Sequence, residues 1–187
     1  MTIDTTYLDS GADKIKLARP AILAMAQEIN LIEGNGGAEK VGYLPAGTGS
    51  VTTDVQSKLR ESVSDKDFGT VANGVTDDTV NLQKAINLAR ASGLRLALHG
   101  FSYKTSAALD ISGVSIIGLA KGYRNQDGTV ITGSGGHDIF SQATATASDT
   151  RIDLYNLRIK GGTCGIKVRY MLHSHWSNVH VTDCVDG

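Results

Sequence analysis

The sequence predicts a mainly β chain: a solenoid of short stacked coils, entered through a helix and preceded by a smaller helical segment. Three observations carry this. After about residue 94 no helical periodicity remains, and short apolar runs alternate with Gly and Asn turns. Asn156-Leu-Arg-Ile-Lys returns as Asn178-Val-His-Val-Thr, and Gly165 and Gly187 recur at the same interval of 22 residues. A fixed period of that size between strands and turns is what stacked coils produce. Gly113-Val-Ser-Ile-Ile lies close to twice the interval further back, which suggests a third copy. Upstream, the apolar residues follow helical spacing instead.

At 187 residues the chain has room for one sizeable domain with an appendage, or for two small domains. Its 41% hydrophobic and 20% charged residues suit a folded protein rather than a disordered one. A net charge of −1 with no clustered Lys/Arg excess argues against a nucleic-acid partner. Many glycines (22) and few prolines (2) fit tight turns between extended segments. The start, Met1 to Asp9, lacks the basic and apolar regions of a secretory signal. The most apolar stretch, Ala21 to Ile32, is too short to span a bilayer and contains Gln27 and Glu28, so no membrane insertion is expected. Cys164 and Cys184 are the only cysteines, which leaves no disulfide framework and predicts free thiols in a reducing cytosol.

Taken in order, the first element is a helix ending near Gly34, with Pro20 suited to a helix start. Ile22, Met25, Ile29 and Ile32 form an a/d stripe that Ile15 and Ala18 extend backwards. Isoleucine at both positions favours three strands. A single helix packed on its own domain explains the stripe equally well. Gly34 to Gly37 is a turn and Tyr43 to Gly49 an irregular loop. A short helix follows, capped by Thr52, Thr53 or Asp54, with Val55, Leu59 and Val63 along one face. Asn73-Gly74 is a turn signal, and Thr76-Asp-Asp-Thr79 offers N-cap side chains to a helix over about 77–92. Val80, Leu82, Ala85, Ile86 and Ala89 are its apolar positions, and Gly93 ends it in left-handed conformation. Leu94 to Leu98 and the region of Phe101 and Tyr103 are extended.

Asp67-Phe-Gly69, Asn73-Gly-Val-Thr-Asp-Asp-Thr79, the amphipathic helix, Leu94-Arg-Leu-Ala-Leu98 and Phe101-Ser-Tyr103 follow one another in a specific order and spacing. That order resembles the entry to the pectate-lyase-like superfamily, and most of all its phage tailspike branch. Thr52 to Ser64 resembles the neck that joins tailspike head-binding domains to their β-helix. One departure is Asp65, where the neck pattern usually carries an apolar residue.

The resemblance covers roughly residues 50 to 187. It implies a right-handed parallel β-helix whose open end is covered by the helix. It divides the chain into a virion-attachment segment (1–50), a neck (51–66) and the start of the β-helix (67–187). It further implies a homotrimer, made in the host cytoplasm and carried on the virion tail. The trimer would dock through a phage tail or adaptor protein and bind bacterial surface polysaccharide. Ile15, Ile22, Met25, Ile29, Ile32, Val55 and Leu59 are then the candidate trimer-interface residues. Such proteins often hydrolyse or eliminate the polysaccharide, with carboxylate pairs on later coils or between subunits. The chain is therefore expected to be a fragment, poorly soluble unless a trimer or a further domain covers its end. The alternative reading is a polysaccharide depolymerase, hydrolase or lyase, and a cellular pectate-lyase-like enzyme is disfavoured without a signal peptide.

No residue here is assigned to catalysis, a cofactor or a metal. Asp183 with Asp186, and Asp149 with Asp153, have the spacing of chance turn aspartates as much as of a glycosidase pair. His173 and His175, predicted on one face of a strand with His180 nearby, could serve zinc, but no supporting partner is evident. Cys164 and Cys184 read as small buried residues on adjacent coils. Gly113 to Gly118 has the outline of a phosphate loop, but Leu119 stands where lysine is required. Tyr123, Tyr155, Tyr170 and Trp176 could stack on sugar rings or pack coil edges.

Overall fold

A computed structural model describes residues 11–33, 36–119, 128–143 and 151–185, with the side chains of 11–19 and 32–33 outside the description. The chain divides into two compact units, Met1–Glu61 and Ser62–Gly187. In the first, helix α1 (Gly11–Glu33) runs through Pro20 rather than starting at it. The residues before the proline are mostly good helix formers, so one lost backbone hydrogen bond does not end the helix. A 3₁₀ turn (Gly37–Lys40) packs on α1, and β1 (Gly42–Tyr43) pairs antiparallel with β2 (Thr53–Asp54). Asp54 caps α2 (Val55–Leu59), accepting the Ser57 N–H at 2.7 Å. That helix stops short of Val63, which was expected on its face. Val63 is instead a buried residue of the second unit.

The second unit contains β3 (Val63–Ser64), β4 (Asn73–Asp77), α3 (Thr79–Ser92), β5 (Arg95–Ala97), β6 (Ser102–Thr105), β7 (Leu109–Asp110) and β8 (Ser115–Ile117). It continues with β9 (Thr129–Gly133), β10 (Phe140–Ser141), β11 (Asp153–Lys160), β12 (Ile166–Lys167) and β13 (Trp176–Thr182). Every pairing among these strands is parallel. Their registers stack like residues into columns. Val63, Leu96, Ile116, Leu154 and Trp176 form one column. Tyr103, Ile131, Ile159 and Val181 form a second, and Leu109, Phe140 and Ile166 a third. The turns β5–β7, β8–β10 and β11–β12 each visit all three faces and place one residue in each column, which is the organisation of a parallel β-helix.

The corner between the first two faces is drawn tight. Long strand β11 pairs with β8 before Asn156 and with β9 after it. The bend is made by Asn156 at φ 56 and repeated one coil later by Asn178 at φ 54, a backbone region asparagine enters more readily than most residues. Asn178 Nδ2 donates to Asn156 Oδ1 at 3.0 Å, so the two amides form a ladder. Replacing Asn156 by Ala should cost about 1–2 kcal/mol, and by Gly less, as read by denaturant unfolding. A Gly variant as damaging as Ala would show that the ladder, not the bend, dominates.

The 22-residue repeat therefore marks one true coil, from β11 to β13. The third copy inferred at Gly113 is a correction: β8 pairs directly with β11 through Ser115 and Asp153, one coil apart rather than two. The connections at the other corners differ in length, so the remaining coils share no fixed period.

α3 covers the entry coil. Its buried residues Leu82, Ala85, Ile86 and Ala89 fall on one helical face, which packs on β3, β5 and β7. Val80, expected on that face, is 65% exposed. Arg90 fixes the helix laterally, donating to the Ser112 and Asp110 carbonyls and pairing with the Asp110 carboxylate at 3.2 Å. Gly93 ends the helix at φ 68, as expected. The start departs from expectation. Asp78 stands at the N-cap, but its buried carboxylate accepts the N–H groups of Val71 and Ala72 instead. Asp77 accepts the Thr79 N–H and the Thr79 and Ser106 hydroxyls, which holds its carboxyl down to about 2.

Beside this entry lies a buried polar network centred on one carboxylate. Asp65 is fully buried. Its carboxylate accepts Thr70 Oγ1 at 2.5 Å, the Tyr103 hydroxyl at 2.7 Å and the His99 N–H at 2.9 Å. Tyr103 Oη in turn accepts the Gly100 N–H at 2.7 Å. Burial pushes the Asp65 carboxyl up, but the donors Thr70, Tyr103 and His99 together outweigh it and hold it below the usual range. Burial, followed by the bond to Asp65, raises the Tyr103 phenol, which stays a proton donor.

Candidate functional site

Of the residues expected at a trimer interface, Ile22, Ile29 and Leu59 are more than half exposed, and Met25 and Val55 are half-buried. The side chains of Ile15 and Ile32 lie outside the described residues. Leu23 and Leu31 are also exposed, so the apolar surface of α1 is wider than the a/d stripe.

Each acidic pair has one member, Asp149 or Asp186, outside the described residues. Asp153 is buried, 2.7 Å from the Arg151 guanidinium, and accepts the His175 N–H at 3.0 Å, which ties one coil to the next. Asp183 is exposed, 3.6 Å from Lys160 Nζ. His173 and His175 sit in the turn before β13 rather than on a strand, with His173 at φ 55. Among the described residues no three His, Cys, Asp or Glu side chains gather where they could hold a metal. Cys164 and Cys184 are free and half-buried, and their thiols donate to backbone carbonyls. Burial, then the Cys164 and Asp183 charges, pushes the Cys184 thiol up, away from nucleophilic reactivity.

The aromatic residues take different places. Trp176 continues the Leu154 column, and its indole N–H donates to the Ile152 carbonyl at 3.1 Å, so it packs a coil edge. Tyr170 is 45% exposed, its backbone gripped by the Gln142 amide. Tyr155 faces outward, with the Arg95 guanidinium 5.1 Å from its ring centre and the His175 ring at 5.5 Å. Beside it a groove of about 300 Å³ is lined by Gly93, Arg95, Ser115, Arg151 and Asp153. Tyr123 lies outside the described residues.

The second face carries polar residues that the sequence reading missed. Strand alternation turns Tyr103, Ile131, Ile159 and Val181 inward. The residues between them form two outward rows: Ser102, Val130, Arg158 and His180, and Lys104, Thr132, Lys160 and Thr182. Lys104, Arg158 and Lys160 thus share one surface although they are scattered along the sequence. Among the described residues no carboxylate lies within ion-pair distance of Lys104 or Arg158, and Lys160 has only the exposed Asp183. The period-2 pattern within each strand was readable; which strands stack, and in what register, was not.

No family profile matches the chain. It is 40% identical over 120 residues to a Mu-like prophage defective tail fibre protein of Haemophilus influenzae, covering 64% of this chain and 19% of that protein. It is 35% identical over 95 residues to a capsule-specific depolymerase of Klebsiella phage K64-1, covering 51% of this chain and 11% of that protein. It is 41% identical over 63 residues to a tail spike protein of an Escherichia phage, covering 34% of this chain and 7% of that protein. The chain thus spans a fifth or less of the length of these relatives. Among solved structures, tailspike protein 3 of bacteriophage CBA120 aligns with a TM-score of 0.41 at 17% identity, over 75% of this chain and 30% of the other. The sequence relatives make this chain a homologue of phage tail-fibre, tail-spike and depolymerase proteins.

Proposed function

We propose that the chain belongs to a homotrimeric phage tailspike. Residues 1–50 dock it on the virion tail or an adaptor protein, residues 51–66 form the neck, and the coils from 67 open the β-helix that meets bacterial surface polysaccharide. The observation carrying this reading is the unbroken stack of parallel coils in a chain whose sequence relatives are tail fibre and tail spike proteins. The exposed isoleucines of α1 support self-association, because an apolar helix face left in water is costly and isoleucine at both core positions of a heptad favours three helices. The proteins in this reading are made in the host cytoplasm and carried on the virion.

The test is the mass of the intact chain by light scattering over a range of concentrations. Three times the 19.7 kDa chain mass, lost on Ile22→Glu with Ile29→Glu, is the expected result. A concentration-independent monomer would remove the trimer.

A second reading is favoured by the capsule-specific depolymerase among the relatives: the full-length protein cleaves the polysaccharide it binds. Its carboxylates would then stand on coils other than those described here.

A further inference from the structure

We infer that the outward surface of β6, β9, β11 and β13 is a binding face for an anionic polysaccharide lying along the coil stack. The inference rests on the reading of the protein as one that meets surface glycans, and it adds the charge class and the place.

The argument is one of register and charge. Lys104 and Lys160 occupy the same outward row two coils apart, about 10 Å at the usual strand separation. Arg158 stands two residues from Lys160 on β11, about 7 Å along the strand. Between them the rows carry the Ser102 and Thr132 hydroxyls, with His180 on the last coil, while the Thr182 hydroxyl is buried. In the second row Lys104 and Lys160 therefore flank the Thr132 hydroxyl, at an interval comparable to a disaccharide.

The chain as a whole is net −1, whereas this face sets three cations against two exposed carboxylates, Asp183 and, on the adjoining β4, Asp77. Asp77 lies in register with Lys104 and stays ionised, but its oxygens accept from Ser106 and Thr79 and make no ion pair with Lys104. Lys104 and Arg158 are half-buried, so their stems lie along the sheet and their charges are held near it rather than swinging freely. Partly desolvated cations without a carboxylate partner are attracted to an anionic ligand more strongly than fully solvated ones.

The chemistry favours a carboxylate-bearing sugar chain over a nucleic acid. The two rows hold no Phe, Tyr or Trp on which unpaired bases could stack, whereas hydroxyls recur on successive coils to meet sugar hydroxyls. An extended glycan fits a flat, straight column of equivalent positions.

The experiment measures binding of the full chain to a size-defined oligogalacturonate, to neutral dextran and to a single-stranded DNA oligonucleotide by calorimetry. Oligogalacturonate is expected to bind, with an affinity that falls as salt is raised. The Lys104→Gln, Arg158→Gln double variant should lose about tenfold or more, Lys160→Gln less, and the control Lys84→Gln on α3 nothing. An unchanged circular dichroism spectrum and melting curve show that the variants are folded. Dextran binding as tight as oligogalacturonate, unaffected by salt and by the variants, would overturn the anionic face while leaving a glycan-binding protein. DNA bound more tightly than oligogalacturonate would overturn it in favour of a nucleic-acid surface. No binding to either glycan would count against both this inference and the glycan reading beneath it.

Discussion

Asp65→Ala is expected to destabilise the β-helix unit by about 3–5 kcal/mol, enough to unfold a marginally stable domain. The substitution removes the acceptor shared by Thr70, Tyr103 and the His99 N–H and leaves the Tyr103 hydroxyl and that N–H buried without it. Asp65→Asn keeps one acceptor oxygen but turns an amide toward donors, so it should cost less than Ala and more than Tyr103→Phe. The last leaves the carboxylate two of its three partners. Denaturant titrations of the three variants give the order directly, and an Ala variant within 1 kcal/mol of the parent would show that water replaces the lost carboxylate.

The same group sets a pH dependence. Its folded-state pKa is depressed, so its contribution is fully present above the unfolded value of about 4 and is lost as pH falls through the lower folded value. Asp77, held at about 2, acts in the same direction but from an exposed position. Stability of the parent should therefore fall as pH drops from about 5 toward 2, and the fall should be shallower in Asp65→Ala.

Asp65 also shows where the sequence was legible and where it was not. A charged residue where the neck pattern expects an apolar one was visible, but its partners lie at positions 70, 99 and 103, and only the folded coil brings them together. Asp78 is a similar case: it has the residue type of an N-cap, yet loop amides compete for its carboxylate and win. The coil from β11 to β13 was readable because the asparagines at its tight corner repeat. The coils before it were not, since their connections differ in length and obscure the period. Its spacing to Leu59 places Val63 on the face of α2. Its burial against Leu96 decided the matter, because tertiary packing outweighs a helical spacing of one more turn. The outward row of cations was hidden for the reason given by the registers: residues that are neighbours across coils are dozens apart in sequence.

The coil stack makes a second large effect predictable, and with it a gradient. Phe140 is fully buried between Leu109 and Ile166 in the third column, and Leu154 between Ile116 and Trp176 in the first. Phe140→Ala and Leu154→Ala should each cost about 3–5 kcal/mol, since a cavity in the middle of a column has coils on both sides that resist collapse. Val181 occupies an equivalent inward position on β13 but is 47% exposed, packed from one side only. Val181→Ala should then cost less than about 1 kcal/mol in the same chain. The difference follows from position in the stack rather than from residue type, because a solenoid coil is stabilised chiefly by its two neighbours. Hydrogen exchange should show the same order, with amides of β8 and β11 protected longest and those of β13 exchanging first. Equal protection across the three strands would mean that the last described coil is covered in solution by something beyond it, and Val181→Ala would then cost as much as Ile159→Ala.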